Sequence, residues 1–246
     1  MHAVSDAQYN GQILQDKFVL SVLKHKRNGT FLELGANDPR TISNTYLLES
    51  MYGWKGIMVE YDQRFRMPYL THRPNSYHTF QDATAVDYVA HLNNLQYPTA
   101  IDYLQIDLEP GNGSTLQALK HLNNTVFDTH KFAVVTFEHD IYYNQPIYHS
   151  TRNESRRIFD ERGYVRVFKD VCNDGWWNNE EVRERIRAGN KETQRDTGTK
   201  YPFEDWYVHP DLVDMTYVNS LIASHADKYV PHDVCGSAIN FTSFDY

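Results

Sequence analysis

Acidic side chains stand at the ends of successive apolar runs in this chain. Glu33 lies in Phe31-Leu32-Glu33-Leu34 just before the turn Gly35-Ala36-Asn37-Asp38, and Glu60 follows Gly56-Ile57-Met58-Val59. Asp82 and Ala83 come after Tyr77-His78-Thr79-Phe80, Asp107 after Ile101 to Ile106, and Glu138-His139-Asp140 after Phe132 to Phe137. Short apolar runs that break at glycine or an acid read as buried parallel strands. In an open α/β sheet the ligand sits outside the carboxyl ends of such strands. A glutamate at the tip of the second strand can accept hydrogen bonds from two ribose hydroxyls and favours ribose over ribose phosphate. Gly35 lets the backbone approach a ligand with no Cβ in the way.

The turn after the first strand lacks the G-x-G-x-x-G spacing that brings a helix N-terminus onto a pyrophosphate. A cofactor with ribose and adenine but no phosphate fits better, and S-adenosylmethionine is such a cofactor. Glu33 and its turn can meet the cationic methionine end. Methyl transfer from a sulfonium is an in-line displacement, so a protein must mainly position the acceptor and remove its proton. Asp107 and Glu138, from the tips of adjacent strands, should converge where that happens. Two arrangements are open. His139 could be the general base, oriented by Glu138 or Asp107; alternatively Asp107 and Glu138, with Asp140, could hold Mg2+ and lower the acceptor hydroxyl's pKa directly.

The elements that must carry these residues follow from periodicity. An amphipathic helix over Gln12 to His25 leads into the first strand and is expected to lid the cleft. Ile42 to Tyr52 has helical spacing and stops at Gly53, which completes a βαβ unit with the strand at Gly56. Further helices are expected over Val86 to Leu92, through Leu116 and Leu119, over Ser150 to Arg162 and over Leu212 to His225. Phe132 to Phe137 is almost uninterrupted and so buried on both faces. Tyr164 to Phe168 reads as a strand, and Trp206 to His209 as a last, antiparallel one. Between them lies a polar insertion, residues 173–201, of a length that is usually functional or mobile. Its Trp176-Trp177 pair could stack on a sugar ring or anchor the loop.

Over Gln15-Asp16, residues 31–38, Ser43-Asn44-Thr45-Tyr46-Leu47-Leu48-Glu49, Gly53-Trp54-Lys55-Gly56 and Val59-Glu60, the chain resembles the FkbM-type S-adenosylmethionine-dependent methyltransferases. The likeness continues through residues 101–107, Phe137-Glu138-His139, Gly163-Tyr164 and Phe203-Glu204-Asp205-Trp206-Tyr207, and so spans most of the chain. Pro39 stands where many relatives have glycine, which stiffens the turn. The resemblance implies a Rossmann-like class I methyltransferase fold, a mostly parallel seven-stranded sheet with an antiparallel last strand and helices on both faces. It also implies a cofactor site of Glu33, Gly35, Ala36, Asn37, Ser43, Asn44, Glu60, Tyr61, Asp82, Ala83 and Asp107, with Asp82 accepting from the adenine amino group. The implied activity is O-methylation of a sugar hydroxyl, free, nucleotide-linked or in a glycan. An N- or carboxyl-methyltransferase on a small metabolite, or a non-catalytic binding module, are the alternatives.

Composition agrees with these expectations. The chain has 246 residues and 41 % hydrophobic content, enough for one full α/β domain over residues 1–246 and too little for two. Residues 1–28 would form the lid and 210–246 a tail that packs on the body or on a second subunit. A net charge of −8 argues against a nucleic-acid partner. Arg156-Arg157 reads as a solvated helix face. Cys172 and Cys235 lack metal-site spacing, so free thiols and a reducing, cytoplasmic compartment are expected. No signal peptide or membrane-length run is visible.

Overall fold

The computed structural model describes residues 9–173 and 201–226. Its strands are β1 (Thr30–Leu34), β2 (Lys55–Val59), β3 (Tyr77–Thr79), β4 (Ala100–Ile106), β5 (Lys131–Glu138), β6 (Val165–Asn173) and β7 (Tyr201–Val208). They form one sheet in the order β3-β2-β1-β4-β5-β7-β6. The first five strands run parallel, and β7 is antiparallel to both β5 and β6. This is the class I methyltransferase arrangement, in which the order reverses between β1 and β4 and leaves a crevice at their carboxyl ends.

The helices are α1 (Gln15–Val22), α2 (Tyr46–Tyr52), α3 (Arg66–His72), α4 (Tyr88–Asn94), α5 (Ser114–Thr125), α6 (Pro146–Glu161) and α7 (Met215–Ala226). Strand alternation separates two cores. Phe31, Met58, Tyr103 and Trp206 pack with Phe18 and Val19 of α1, Leu47 and Leu48 of α2 and Val218 of α7. Leu32, Ile57, Leu104 and Tyr207 pack on the other face with Leu119 and Leu122 of α5 and Ile158 and Phe159 of α6. Phe18 stacks on Trp206 with ring centroids 4.7 Å apart.

Several expectations need correction. The first helix is shorter than Gln12 to His25, because Leu14, Lys24 and His25 all have positive φ. Every residue of α1 is buried, so it is part of the core rather than a separable lid. The next helix starts at Tyr46 instead of Ile42, which itself is left-handed at φ 54°. The helix after β3 starts at Tyr88 and is capped by Asp87, whose Oδ1 accepts from the Ala90 amide. Cys172 is disulfide-bonded. The chain has one other cysteine, Cys235, which lies outside the described residues. The expectation of a reducing compartment rested on free thiols and loses that footing. Among the described residues no helix is long and apolar enough to cross a membrane. Trp176, Trp177, most of the 173–201 insertion and the end of the tail lie outside the described residues.

Candidate active site

A cavity of about 570 Å³ opens at the carboxyl ends of β1, β2 and β4. Among the expected site residues, Glu33, Gly35, Ala36, Asn37, Glu60, Tyr61, Asp82, Ala83 and Asp107 line it. The tips of β1 and β4 meet at Gly35, where φ is 78° and an added Cβ would sit 1.7 Å from the Asp107 carbonyl oxygen. Only glycine tolerates both demands. The Gly35 and Ala36 amides donate to the Val59 carbonyl, which ties the turn to β2.

Glu60 is fixed at the rim by two backbone amides. Asn37 N donates to its Oε2 and Asp62 N to its Oε1, each at 2.7 Å. Each carboxylate oxygen keeps a second lone pair for a ribose hydroxyl. Tyr61 beside it is 77 % exposed, an aromatic face at the cavity mouth. Asp82 closes its own turn by accepting from the amide and hydroxyl of Thr84. It does not cap the following helix. Those two bonds hold its carboxyl below the usual range.

Among the described residues six acids line the cavity, Glu33, Glu60, Asp62, Asp82, Asp107 and Glu109, and one basic residue, Arg64. Arg64 is already engaged, its Nε donating to Asp62 at 2.7 Å. A phosphate-bearing ligand would meet like charge, which costs several kcal/mol; a ligand carrying cations would not. Gln105 sharpens this: it is buried in the cavity wall and its Oε1 has no hydrogen-bond partner. A buried acceptor without a donor calls for one from a ligand. Burial pushes the Glu33 carboxyl up to about 7, with Arg73 and a hydrogen bond from Thr45 pulling against that shift.

Asp107 and Glu138 converge as expected, and hydrogen-bond each other. Both are pushed up by burial; Glu138 is raised further by Asp107 and Asp140, while the bond from Glu138 works to lower Asp107. Two half-buried carboxyls in contact do not both ionise readily. Of the two, Glu138 is raised well above the usual range, and Asp107 is the one that lies in the cavity wall. Asp140 is pushed up to about 7 by burial and then by Asp107 and Glu109. Glu204, directly opposite Glu138 in the β5–β7 register, is raised by burial and by Asp107. It was not singled out as a site residue, although a charge inside the apolar stretch Phe203 to Val208 marks it.

His139 does not line the cavity and its ring is fully buried. Nδ1 accepts from the Ile141 amide at 3.2 Å, so the ring's N–H is on Nε2. Nε2 lies 3.5 Å from Asp205 and 3.6 Å from Asp170. With its accepting nitrogen engaged by backbone, His139 is placed as a packing residue of that cluster rather than as a base. These three residues are the described grouping whose potential metal ligands lie within 4.8 Å of one another. Arg156 already supplies the cation there, donating to both Asp205 oxygens at 2.6 and 2.8 Å and to Asp170 at 2.8 Å. Ser43 and Asn44 are buried and do not line the cavity.

No protein-family model matches the sequence, and no curated protein is similar to it. Solved structures with a similar fold include the plantazolicin methyltransferase BamL in complex with a substrate analogue and SAH, at 10 % identity over 82 % of this chain and 85 % of that one, with a TM-score of 0.47. Precorrin-6y C5,15-methyltransferase from Geobacter metallireducens matches at 12 % identity over 84 % and 93 %, TM-score 0.47. Cofactor-bound Rv0187 from MTB matches at 12 % identity over 84 % and 81 %, TM-score 0.48. At this level the likeness decides nothing about chemistry, which has to come from the side chains of the cavity itself.

Proposed function

We propose that the protein is an S-adenosylmethionine-dependent O-methyltransferase acting on a sugar hydroxyl. The observation that carries the donor is the acid-lined, phosphate-averse cavity at the tips of β1, β2 and β4, with Glu60 set for a ribose and Glu33 and Gln105 offering acceptors to an ammonium group. S-adenosylmethionine brings two ribose hydroxyls, an ammonium and a sulfonium, and when bound supplies the methyl group. The FkbM-type resemblance in the sequence points to the same donor.

Asp107 takes the acceptor's proton. It lines the cavity, and its protonated neighbour Glu138 keeps it the ionised member of the pair, the division of labour that two coupled carboxyls adopt in acid–base sites. Burial raises its basicity toward neutral pH, where a base works best. The sugar reading rests on aromatic surface beside these acids. Tyr143 stacks on Tyr148 at 4.9 Å and lies 4.4 Å from Tyr142, which meets Tyr201 edge-on at 5.2 Å. Tyr143 is the exposed member of this group and its ring offers an aromatic face to the apolar C–H side of a sugar, while Tyr148 behind it is buried and has Asp140 and Glu109 nearby.

The test is methyl transfer from labelled S-adenosylmethionine to a panel of free, nucleotide-linked and oligomeric sugars, run beside amines and carboxylic acids. Label on a sugar oxygen is expected. Label only on nitrogen or carboxylate would replace the acceptor class, and no label on any acceptor despite cofactor binding would mean a binding module.

A further inference from the structure

Arg73, just past α3, is fully buried yet does not line the cavity. Its Nε donates to Glu49 Oε2 at 2.8 Å, and Nη1 to Ser43 Oγ at 3.2 Å and to the Pro39 carbonyl at 3.4 Å. Nη2 donates to Thr45 Oγ1 at 2.6 Å. Ser43, Thr45 and Glu49 belong to a stretch prominent in the sequence, and none of them touches the cavity. All three are partners of this one guanidinium.

The bond to Thr45 fixes the polarity of a chain. A guanidinium only donates, so Thr45 Oγ1 must accept from it. The single hydroxyl proton is then left for Glu33 Oε2, 2.7 Å away. Tyr69, one turn earlier on α3, donates to the Asn37 carbonyl at 2.6 Å. The same helix therefore grips the turn after β1 at Asn37 and at Pro39. Glu49 has no spare role in this: its Oε2 also accepts from Ser76 Oγ and its Oε1 from the Asn75 amide.

We infer that Arg73 is a positioning residue for the donor site: through Thr45 it holds Glu33 as a hydrogen-bond acceptor in the cavity wall, and through Ser43 and Pro39 it holds the turn that lines the cavity. Without it the Thr45 hydroxyl is free to rotate away, and Glu33 loses both an oriented donor and its nearest compensating cation. The other groups that bear on Glu33 are Asp107 and Glu49, both of which favour its neutral form, and the buried hydroxyls of Tyr69 and Tyr103. Arg73 is the one cation among them.

This inference rests on the reading that the cavity holds S-adenosylmethionine with its ammonium against Glu33, and the test separates the two. SAH affinity is measured by calorimetry for the wild type, T45V, R73K, R73M/E49Q and R73M/E49Q/T45V, with melting curves to confirm folding. R73M/E49Q removes both buried charges, so no unpaired carboxylate is left behind to unfold the protein. T45V is expected to weaken SAH roughly tenfold, as loss of a hydrogen bond to a charged group does. R73M/E49Q should weaken it at least as much, and adding T45V should cost nothing more, because the two act in series. R73K should not restore affinity, since one ammonium cannot serve four separated acceptors. Additive losses, or wild-type affinity in folded R73M/E49Q, would overturn the inference. If the wild type binds no SAH, the donor reading fails, and the Arg73 inference is still decided in ligand-free protein by a carbon-13 NMR titration of the Glu33 carboxyl. Its midpoint should move up in both T45V and R73M/E49Q; an unmoved midpoint in folded variants refutes the relay.

Discussion

Glu204 and Asp205 are neighbours on β7, both are buried, and they fall on opposite faces of the sheet. Burial alone would raise both. Asp205 is nevertheless held well below the usual aspartate range by Arg156 and His139. Glu204 is held well above the usual range by burial and by the charges of Asp107 and Asp205, against hydrogen bonds from Trp206 and Gln15. The same contrast divides the two regions to which they belong. Asp205, Asp170, His139 and Arg156 form a compensated cluster in which acid and base are matched. Glu204, Glu138 and Asp140 gather around Asp107 in an uncompensated one, where each acid is pushed toward its protonated form. A buried charge with a partner builds structure; a buried acid without one is available to move a proton. On the proposed reading that difference favours Asp107 over His139 as the group that takes the proton, although the two lie on adjacent strand tips.

The comparison can be broken most forcefully by substituting Asp107. D107N should lower kcat by roughly 10²- to 10⁴-fold, the usual worth of a positioned general base, while SAH affinity stays within a few-fold. H139N should have a far smaller effect on kcat in protein that remains folded, and a chelator should leave the rate unchanged. Strong chelator inhibition would return Asp107 and Glu138 to metal ligation.

Next in size is the stability difference between the clusters. R156M leaves Asp205 and Asp170 buried and unpaired, and should destabilise the fold by about 3 to 5 kcal/mol. E204Q, which removes an uncompensated acid and keeps an acceptor for Trp206 Nε1, should change stability by less than about 1 kcal/mol or improve it. Urea denaturation measures both, and equal losses would erase the distinction. E60A, which acts at the rim alone, should weaken SAH by about 1 to 3 kcal/mol through the lost hydrogen bonds to ribose. Unchanged affinity would move the ribose elsewhere.

The smallest expected effect is on pH dependence. Glu33 and Asp140 are pushed up to about 7 in the folded protein, and Glu138 and Glu204 are raised too. A carboxyl with a raised folded pKa binds extra protons in the native state. Its contribution is most favourable below the unfolded pKa and is lost as pH rises through the folded one. Asp205 runs the other way, contributing above the unfolded aspartate range and losing that only in strong acid. Burial lowers His25, His78, His130 and His209, which contribute the opposite slope up to the ordinary histidine range, so the loss from the acids should show in the ligand-free protein above that range, between about pH 7 and 8, as a melting temperature lower by roughly 2 to 4 °C. E204Q should flatten that slope. A slope unchanged in E204Q would remove the acid cluster as its source.

Much of the site was legible because parallel strands advertise themselves as apolar runs and their tips must carry the ligand-facing residues. Glu33, Glu60, Asp82 and Asp107 were found that way, and all four line one cavity. What stayed hidden depends on contacts far apart in sequence. The late start of α2 follows from the left-handed Ile42 and from Ser43 and Thr45 turning to Arg73, which no local spacing records. Arg156 reads as a surface residue beside Arg157, yet Arg157 pairs at the surface with Glu154 and Glu161 while Arg156 goes inward to Asp205. His139 looked like a base because of its place beside Glu138, but alternation along a strand end sends neighbours to different surroundings. Gln105 was passed over because an amide within an apolar strand gives no sign that its oxygen will lack a partner.

The most direct measurement is calorimetric titration of the purified protein with SAH at pH above 7, where Glu33 is ionised, beside the same titration with NAD+. Saturable binding of SAH at one site, lost as pH falls below about 6, and no heat with the dinucleotide are expected. Binding of NAD+ in preference to SAH, or no binding of SAH at any pH, would contradict the account at its base.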